Sequence, residues 1–454
     1  MSKNVSIVEY FYEPDNGDKK GHRCGYCNGS NTSISQGMWG HQITCQDYQD
    51  LIDRGWRRSG EYLYKPDMKR TCCPLYPIRC GVMEFKPSKS QKKVLKNVRK
   101  FLLGKSSEAE TQSSHNDKEP RVKQEASCEK KNDATFANEE GHSVGADPNK
   151  PRCRKAKEIR LQRKRRKLAA KGLDMPEAAK KQDEGKSLED LIAEHLPQKE
   201  SKHRLEVKLV RVDMTDRVFR STLRESHDIF IKYQMNIHKD KPCECNFKQF
   251  RRFLLDSPLV FEKHSSTPST GWGSFHEQFF LDGKLIAVGV LDILPHCISS
   301  VYFYYDTDYS YLSLGKYSAL REISFARELN QSSSALRFYY LGFYVHSCAK
   351  MNYKGQYFPS YLACPETFSW IPLEKCLPKL DAAKYSRLDE TDKEDPVVSK
   401  DTVQVLFKYR GFKKLLDYQT LKARFQSKDD GDEVQQYAQL VGSVVAQRMA
   451  LIRK

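Results

Sequence analysis

The spacing of hydrophobic residues over the first hundred positions predicts short strands and two helices. Apolar and polar residues alternate from Ser6 to Phe11, as they do in a half-buried strand. Thr44 is placed to cap a helix that runs from Cys45 to Arg54 and ends at Gly55. Further strands are expected at 61–64 and 82–85, followed by a helix capped by Ser88 with Val94, Val98, Phe101 and Leu102 on its apolar face.

Beyond position 204 the pattern predicts an α+β fold. Strands are expected at 205–212, 275–281, 285–293, 299–305 and 337–341, and helices at 215–237, 247–255 and 315–329. Asp282-Gly283 is typical of a hairpin turn, so three of these strands form an antiparallel meander. A meander followed by a loop with Gly315, a helix and one more strand is the layout of an acetyltransferase-like (GNAT-like) mixed sheet.

Between these two regions the composition changes. From 104 to 197 the sole aromatic residue is Phe136, and Ser, Glu, Lys, Asn and Asp dominate. Such a segment buries too little apolar surface to offset the entropy of ordering it. We therefore expect an N-terminal module at 1–103, a disordered basic linker at 104–197, and a C-terminal domain at 198–454.

The positive charge of the chain is concentrated in the linker. The formal net charge is +18, and residues 150–171 hold twelve Lys or Arg against the single Glu158. Lys164, Arg165 and Arg166 in this run are candidates for contact with RNA, although a nuclear import signal or an inert tether has the same composition. Lys96 and Arg99, on the polar face of the helix after Ser88, offer a second basic surface for RNA or simply for solvent.

Four cysteines have the spacing of a metal site. Cys24 and Cys27 are separated by two residues, and Cys72 and Cys73 are adjacent. Four thiolates suit a zinc ion or an iron–sulfur cluster such as [4Fe-4S], and the spacing does not choose between them. Ordinary buried thiols or a redox pair are the alternatives, and Cys45 and Cys80 are spare ligand candidates.

The remaining cysteines bear on the compartment. They are scattered without a compact disulfide pattern, and residues 1–12 lack a basic segment followed by an apolar run. No apolar stretch approaches the roughly 18 residues that a membrane span needs. We expect a soluble protein of a reducing compartment, both cytoplasmic and nuclear, with no membrane partner.

The loop before the predicted helix 315–329 indicates which carrier of the transferred group could bind there. An acetyltransferase usually presents several small residues to the pyrophosphate of coenzyme A, whereas Leu314-Gly315-Lys316-Tyr317 has one glycine and a lysine. Coenzyme A is therefore not expected. The acceptor end of a transfer RNA suits this basic chain better.

Several longer strings resemble the eukaryotic arginyl-tRNA-protein transferases. They are Cys24-Gly25-Tyr26-Cys27, Thr71-Cys72-Cys73-Pro74, Leu291-Asp292-Ile293-Leu294-Pro295, the segment 299–306, the segment 353–362 and Cys364-Pro365-Glu366-Thr367. The resemblance implies an enzyme that moves arginine from arginyl-tRNA to the N-terminal α-amine of proteins beginning with Asp, Glu or oxidised Cys. It further implies that these proteins enter ubiquitin-dependent degradation through the N-degron pathway, and that Cys24, Cys27, Cys72 and Cys73 hold the metal.

The expected chemistry assigns candidate residues to two substrates. The guanidinium of the donor needs carboxylates, for which Asp292, Asp306 and Glu322 are candidates, unless these are surface or capping charges. The acidic side chain of the acceptor needs cations or donors, and the candidates are Lys316, Arg321, His346 and Lys350. Lys354 is a further candidate for substrate binding, without a role of its own assigned.

His296 and His346 are candidate bases for the attacking amine, although an activated ester needs little help once the amine is positioned. Among the dense aromatics, Tyr353, Tyr357 and Tyr361 are expected to be exposed, where they would contact bases of the transfer RNA. The other tyrosines of these strands are expected in the core.

Two other functions remain open at this point, a metal-bearing RNA-binding adaptor and a true acetyltransferase. The adjacent Cys72-Cys73 pair also raises the hypothesis of redox sensing. The sequence sets no oligomeric state.

Overall fold

The computed structural model describes residues 5–12, 21–105, 186–196, 201–409, 412–425 and 430–453. The described residues up to 105 and from 188 onward belong to one compact unit. Most of the predicted linker, including Lys164, Arg165 and Arg166, lies outside the described residues. This unit has a mixed α and β structure, as the hydrophobic pattern predicts, and it contains two mixed sheets.

The elements of the described residues are as follows. The strands are β1 (Ile7–Phe11), β2 (Ser35–Gln42), β3 (Arg57–Ser59), β4 (Tyr62–Pro66), β5 (Tyr76–Gly81), β6 (Leu205–Arg211), β7 (Gly273–Leu281), β8 (Lys284–Ile293), β9 (Cys297–Tyr305), β10 (Phe338–Tyr344), β11 (Ser360–Ala363), β12 (Trp370–Pro372), β13 (Gln404–Tyr409), β14 (Phe412–Asp417) and β15 (Ala450–Arg453). The α-helices are α1 (Cys45–Asp53), α2 (Lys89–Leu102), α3 (Leu188–Ala193), α4 (Arg217–Ser221), α5 (Leu223–Tyr233), α6 (Phe247–Phe250), α7 (Leu314–Asn330), α8 (Ala349–Asn352), α9 (Leu373–Ala382), α10 (Tyr418–Arg424), α11 (Gly431–Val441) and α12 (Ser443–Ala446).

Both sheets combine strands from the two ends of the chain. One sheet has the order β14-β13-β15-β1-β2-β4-β3, with β1 parallel to β15. The other has the order β12-β11-β5-β10-β9-β8-β7-β6. Strand β5, from the predicted N-terminal module, therefore lies inside the sheet of the predicted C-terminal domain. The boundary between these two segments divides the sequence but does not separate the sheets.

The centre of the eight-stranded sheet contains a gap between two parallel strands. Strands β9 and β10 pair only from Cys297 and Phe338 to Ser299 and Tyr340. Beyond that point each strand continues to its end without pairing to the other. The predicted meander β7-β8-β9 is confirmed, and its first turn has positive φ at Asp282 and Gly283.

Helix α7 packs against the eight-stranded sheet between this gap and α2. Its buried residues include Tyr317, Leu320 and Ile323, in the same core as Leu95 and Phe101 of α2. Each such side chain contributes roughly 1.5–3 kcal/mol by its removal from water. The predicted caps of α1 and α2 are confirmed: Thr44 accepts from Asp47 N, and Ser88 forms a capping box with Gln91.

Two local predictions are wrong. The strand expected at 82–85 is a turn, in which Phe85 N donates to Val82 O at 3.4 Å, and the strand lies earlier, at Tyr76–Gly81. The helix expected at 215–237 is divided at Thr222, where the hydroxyls of Ser221 and Thr222 donate to carbonyls three residues earlier and so end α4. Its last turn, Gln234–His238, is a π-helix.

Candidate active site

The four predicted metal cysteines meet at one point. Their Sγ atoms lie within 4.8 Å of one another, and the Sγ atoms of Cys27 and Cys72 are 3.4 Å apart. The turn that carries Cys24 and Cys27 is closed by Asn28 N donating to Cys24 O at 3.0 Å, with Asn28 in the left-handed region at φ +61°. The convergence that the spacing predicts is therefore confirmed.

The spare candidates lie elsewhere. The thiol of Cys45 is buried and donates to Val260 O at 3.4 Å, and that of Cys80 is buried in β5. Neither belongs to the cluster.

The thiols of the cluster differ electrostatically. The backbone N–H of Gly29 and the neighbouring thiols lower the pKa of Cys27 to about 7, whereas burial raises the pKa of Cys73 to about 12. Such differences are expected for four thiols without a counterion, because each thiolate disfavours the next. A cation among them would favour the thiolate form of all four.

Tyr26 connects the cluster to the gap between β9 and β10. Its backbone N–H donates to the Sγ of Cys24 at 3.4 Å, and its ring lines a cavity of about 630 Å³ at that gap. We call this space the central cavity. Its boundary includes Tyr26, Arg57, Tyr302, Gly315, Glu322 and Lys354. The cysteine cluster and the cavity therefore share a wall.

The parting of β9 and β10 creates this cavity. Residues Ser300 to Phe303 of β9 form one wall, and Leu341 to Phe343 of β10 form the other. Gly315, in the first turn of α7, also lines it. Ser318, Ala319 and Glu322 lie on the same face of α7 as Gly315, so the flank of the helix lines the cavity and its N-terminal turn, the positive end of the dipole, lies at one end of that flank.

Glu322 of α7 is the one carboxylate among the described residues that line the central cavity. It accepts hydrogen bonds from Tyr339 Oη at 2.6 Å and from Ser318. Burial raises its pKa. On the neighbouring strand β7, burial and then the charge of Glu322 raise the pKa of Glu277 to about 8, while Arg321, 3.8 Å from Glu277, opposes the rise. A cation bound beside Glu322 would stabilise its ionised form.

The cationic residues of the cavity wall come from two other parts of the chain, strand β3 and the segment after β10. Arg57 and Lys354 line the cavity and donate to backbone carbonyls of β10, at Gly342 and Phe343 respectively. Arg58 is buried and forms a two-bond pair with Asp292, at 2.7 and 2.8 Å. Lys350 is exposed at the rim.

Comparisons with known proteins decide the family. The family model described as "Arginine-tRNA-protein transferase, N terminus" matches residues 22–93, and the one described as "Arginine-tRNA-protein transferase, C terminus" matches residues 225–364. The chain is 39% identical to "Arginyl-tRNA--protein transferase 1" of Drosophila melanogaster, over 99% of this chain and 100% of that protein. The chain belongs to the arginine-tRNA-protein transferase family.

More distant relatives of this family also match. "Arginyl-tRNA--protein transferase 2" of Arabidopsis thaliana is 32% identical over 82% of this chain and 76% of its own length. An "Aspartate/glutamate leucyltransferase" of Campylobacter jejuni is 35% identical over 26% of this chain and 43% of its own length. None of the helices in the described part of the chain is long and apolar enough to cross a membrane.

The central cavity of this family member brings together four of the predicted substrate-binding residues: Glu322, Lys350, Tyr353 and Lys354. Two other predicted carboxylates lie apart from it. Asp292 pairs with Arg58 in the protein interior, and Asp306 pairs with Lys232 and with Lys284, at 3.1 Å.

The other predicted acceptor residues do not line the cavity. Lys316 is exposed beside Gly315, and Arg321 lines a second cavity of about 960 Å³ on the far side of α7. Lys96 is exposed on α2, and Arg99 pairs with Glu194 at 3.1 Å.

The two predicted bases also lie outside the cavity. His346 bonds to Tyr344 Oη at 2.9 Å and to Asp381 at 2.8 Å. His296 is exposed, and its carbonyl accepts from Arg337 N. Their roles stay predictions.

The predicted exposure of three tyrosines has a mixed outcome. Tyr353 is 38% exposed, and Tyr361 in β11 is half-buried near the guanidinium of Arg79. The expectation for Tyr357 is wrong, because its ring is buried and stacks on Phe85.

Sequence reasoning missed Arg57, Tyr26 and His238, which all line the cavity. Arg57 carried a signal, since an arginine pair directly after Trp56 in a short strand places charge where apolar residues are usual. His238 bonds to Tyr302 Oη at 3.1 Å and ends a π-helical turn that periodicity does not reveal.

Proposed function

We propose that this chain transfers arginine from arginyl-tRNA to the N-terminal α-amine of proteins that begin with Asp, Glu or oxidised Cys. Similarity over the full length to "Arginyl-tRNA--protein transferase 1" of Drosophila melanogaster carries the proposal. Acidic acceptors are favoured by the similarity to an "Aspartate/glutamate leucyltransferase". By the family's role, the product enters ubiquitin-dependent degradation, in the cytoplasm and the nucleus.

The eight-stranded sheet would act as an acetyltransferase-like scaffold. The support is the parting of β9 and β10 after Ser299 and Tyr340, next to the N-terminus of α7. In this arrangement the terminal phosphates of the transfer RNA lie near Gly315, at the positive helix end. We do not expect coenzyme A to serve as donor, because this turn has one glycine and a lysine.

Glu322 is the carboxylate that we assign to the guanidinium of the donor. It lines the cavity, whereas Asp292 and Asp306 already have cationic partners. A charge-assisted bond at this position would fix the arginyl group so that its ester carbon faces the acceptor amine. Positioning is then the main contribution of the protein to the rate.

The attacking amine must be neutral, and His238 is the one histidine that lines the cavity among the described residues. We therefore rank it above His296 and His346 as a proton acceptor. Replacing each of the three by Ala tests this order. A loss of tenfold or more in His238→Ala alone supports the assignment, and equal losses in all three contradict it.

The cysteine cluster would hold a metal, either a zinc ion or a [4Fe-4S] cluster. A single tetrahedral zinc at about 2.3 Å from each sulfur places the sulfurs about 3.8 Å apart. The four Sγ atoms, all within 4.8 Å of one another, are compatible with such an ion. When bound, a zinc ion would hold the Tyr26 turn against the loop of Cys72 and Cys73.

Metal content of purified protein tests this site. We expect Cys27→Ser to lose the metal and Cys243→Ser, an exposed cysteine outside the cluster, to keep it. Visible absorption distinguishes the two metals, because zinc is colourless. Full metal content in Cys27→Ser would contradict the site.

The activity is tested with labelled arginyl-tRNA and matched peptides that begin with Asp, Asn or acetylated Asp, with acetyl-coenzyme A offered separately. We expect labelling of the free Asp peptide and none of its acetylated form. Tight binding of transfer RNA without labelling would favour the adaptor, and peptide acetylation would favour an acetyltransferase.

A further inference from the structure

We propose that Arg57 and Lys354 together form the subsite that binds the side-chain carboxylate or sulfonate of the acceptor's first residue. The inference rests on the proposed function and names the specificity residues of the same cavity. Of these two residues, only Lys354 is indicated by the sequence as a candidate for substrate binding. The pairing with Arg57, 297 positions earlier in the chain, becomes visible only in the fold.

A break in β10 holds the two cations side by side. The register of β10 against β5 shifts between Tyr340 and Phe343, and Gly342 has φ +72°. The carbonyl of Gly342 accepts from Arg57 Nη2 at 3.2 Å, and that of Phe343 accepts from Lys354 Nζ at 2.9 Å. Consecutive carbonyls thus bring two positive groups to one part of the cavity wall.

Neither cation has a carboxylate partner within 4.0 Å among the described residues. Arg57 is only 6% exposed, yet its Nε has no hydrogen-bond partner there. Its other guanidinium nitrogens donate to the carbonyls of Ile52, Trp56 and Gly342. An unpaired buried guanidinium is costly, and an anion in the cavity would neutralise it.

Asp53 interacts electrostatically with Arg57. Its oxygens accept from Tyr340 at 2.5 Å and from Gln49 at 3.1 Å, and it forms no ion pair with Arg57 within 4.0 Å. Arg57 therefore lines the cavity without a described carboxylate in contact with its guanidinium.

The electrostatic repulsion between Arg57 and Lys354 also favours an anion in this subsite. Burial and then the charge of Arg57 lower the pKa of Lys354 to about 7. An acidic side chain between them would remove this repulsion, whereas the amide of Asn or Gln would not. The site therefore selects by charge rather than by size, and a sulfonate fits as a carboxylate does.

The test compares kcat/KM for peptides that begin with Asp and with Asn. We expect Lys354→Gln and Arg57→Gln each to lower the Asp-to-Asn ratio at least tenfold, while KM for arginyl-tRNA changes little. Lys375→Gln is the matched control, because Lys375 is exposed on α9 and lies outside the cavity. An unchanged ratio in both cavity variants would overturn the subsite.

A measurement on the unaltered protein covers the case in which a variant does not fold. Acetylation of Lys354 by acetic anhydride is followed by mass spectrometry, with a succinyl-capped peptide, which has the Asp carboxylate but no amine. We expect this peptide to protect Lys354 and its succinamoyl counterpart not to. Equal protection by both, or by neither, would overturn the subsite.

The two proposals fail in different ways. If no peptide receives arginine from the unaltered protein, the proposed function fails, whatever the protection experiment gives. If arginine is transferred with an unchanged Asp-to-Asn ratio in the variants, only the subsite fails.

Discussion

The three carboxylates that the sequence offers to a guanidinium have different electrostatic surroundings. Asp292 is buried against Arg58, and Asp306 lies between Lys232 and Lys284. Lys232 and Lys284 keep the pKa of Asp306 below its usual value despite some burial. Glu322 has only neutral hydrogen-bond donors, and burial raises its pKa. Of the three, it gains most from an added cation.

Glu322→Gln should lower kcat/KM for arginyl-tRNA about 10- to 100-fold, which is the worth of one charged hydrogen bond. Initial rates at varied arginyl-tRNA measure the loss. Asp306→Asn is the matched control, since it removes a buried carboxylate outside the cavity, and its kcat/KM for arginyl-tRNA should fall much less. Equal losses in both variants would remove Glu322 from this role.

Lys354 gives the acceptor preference a pH dependence. With a pKa of about 7, its amine is charged below that pH and neutral above it. Burial and then the charge of Arg57 on β3 disfavour the charged form, and Cys348 after β10 favours it. The Asp-to-Asn ratio of kcat/KM should therefore fall several-fold between pH 6 and pH 8.5.

Lys354→Arg provides the control for this dependence, because a guanidinium stays charged throughout the range. Its Asp-to-Asn ratio should be flat. A slope shared by Lys354→Arg and the unaltered protein would assign the pH dependence to another group.

At the scale of elements, the ion pair of Arg58 and Asp292 joins β3 of one sheet to β8 of the other. Ser274 on β7 donates to the same carboxylate at 2.7 Å. Both charges are almost fully buried, so removal of one leaves the other without compensation.

Asp292→Asn should therefore lower the free energy of unfolding by about 3–5 kcal/mol, measured by urea denaturation. The double variant Arg58→Met, Asp292→Leu should recover most of this stability, because no buried charge remains. If the single variant unfolds at the same urea concentration as the unaltered protein, the pair does not join the sheets.

Local periodicity was enough for most of the elements. The caps at Thr44 and Ser88, the meander and α7 all follow from residues close in sequence. The pattern did not predict the end of α4 at Thr222. The hydroxyl of Thr222 donates to the carbonyl of Phe219 there, and the hydrophobic spacing does not change.

The candidate site was less predictable than the fold. The cysteine cluster follows from ligand spacing alone. The pairing of Arg57 with Lys354 depends on a break in β10 and on two strands distant in sequence, so no local signal indicates it. Glu322 and Asp292 look alike in sequence, and only the fold distinguishes which of them faces the cavity.

At the scale of the whole molecule, the two ends of the chain depend on each other. Strand β5 fills the position between β10 and β11, and β1 lies between β2 and β15. Without the N-terminal residues, β10 and β11 would each lose a neighbouring strand, and Ile78 and Val82 would leave the core.

Residues 201–454 expressed alone should therefore be insoluble or lack a cooperative thermal transition. Co-expression with residues 1–105 should restore a soluble complex that purifies with both fragments. Calorimetry of each preparation measures this. A cooperative transition of the 201–454 fragment by itself would contradict the shared sheet.

Because β1 pairs with β15, its sheet cannot be completed until almost the whole chain has been synthesised. Ribosomes add roughly 5–20 residues per second, so β1 emerges roughly 20–90 seconds before the strand that completes its sheet. Cys24, Cys27, Cys72 and Cys73 are all made early in this interval. A metal delivered during translation would reach these thiols before the surrounding sheets have formed. An oxidant would have the same access to them during this interval.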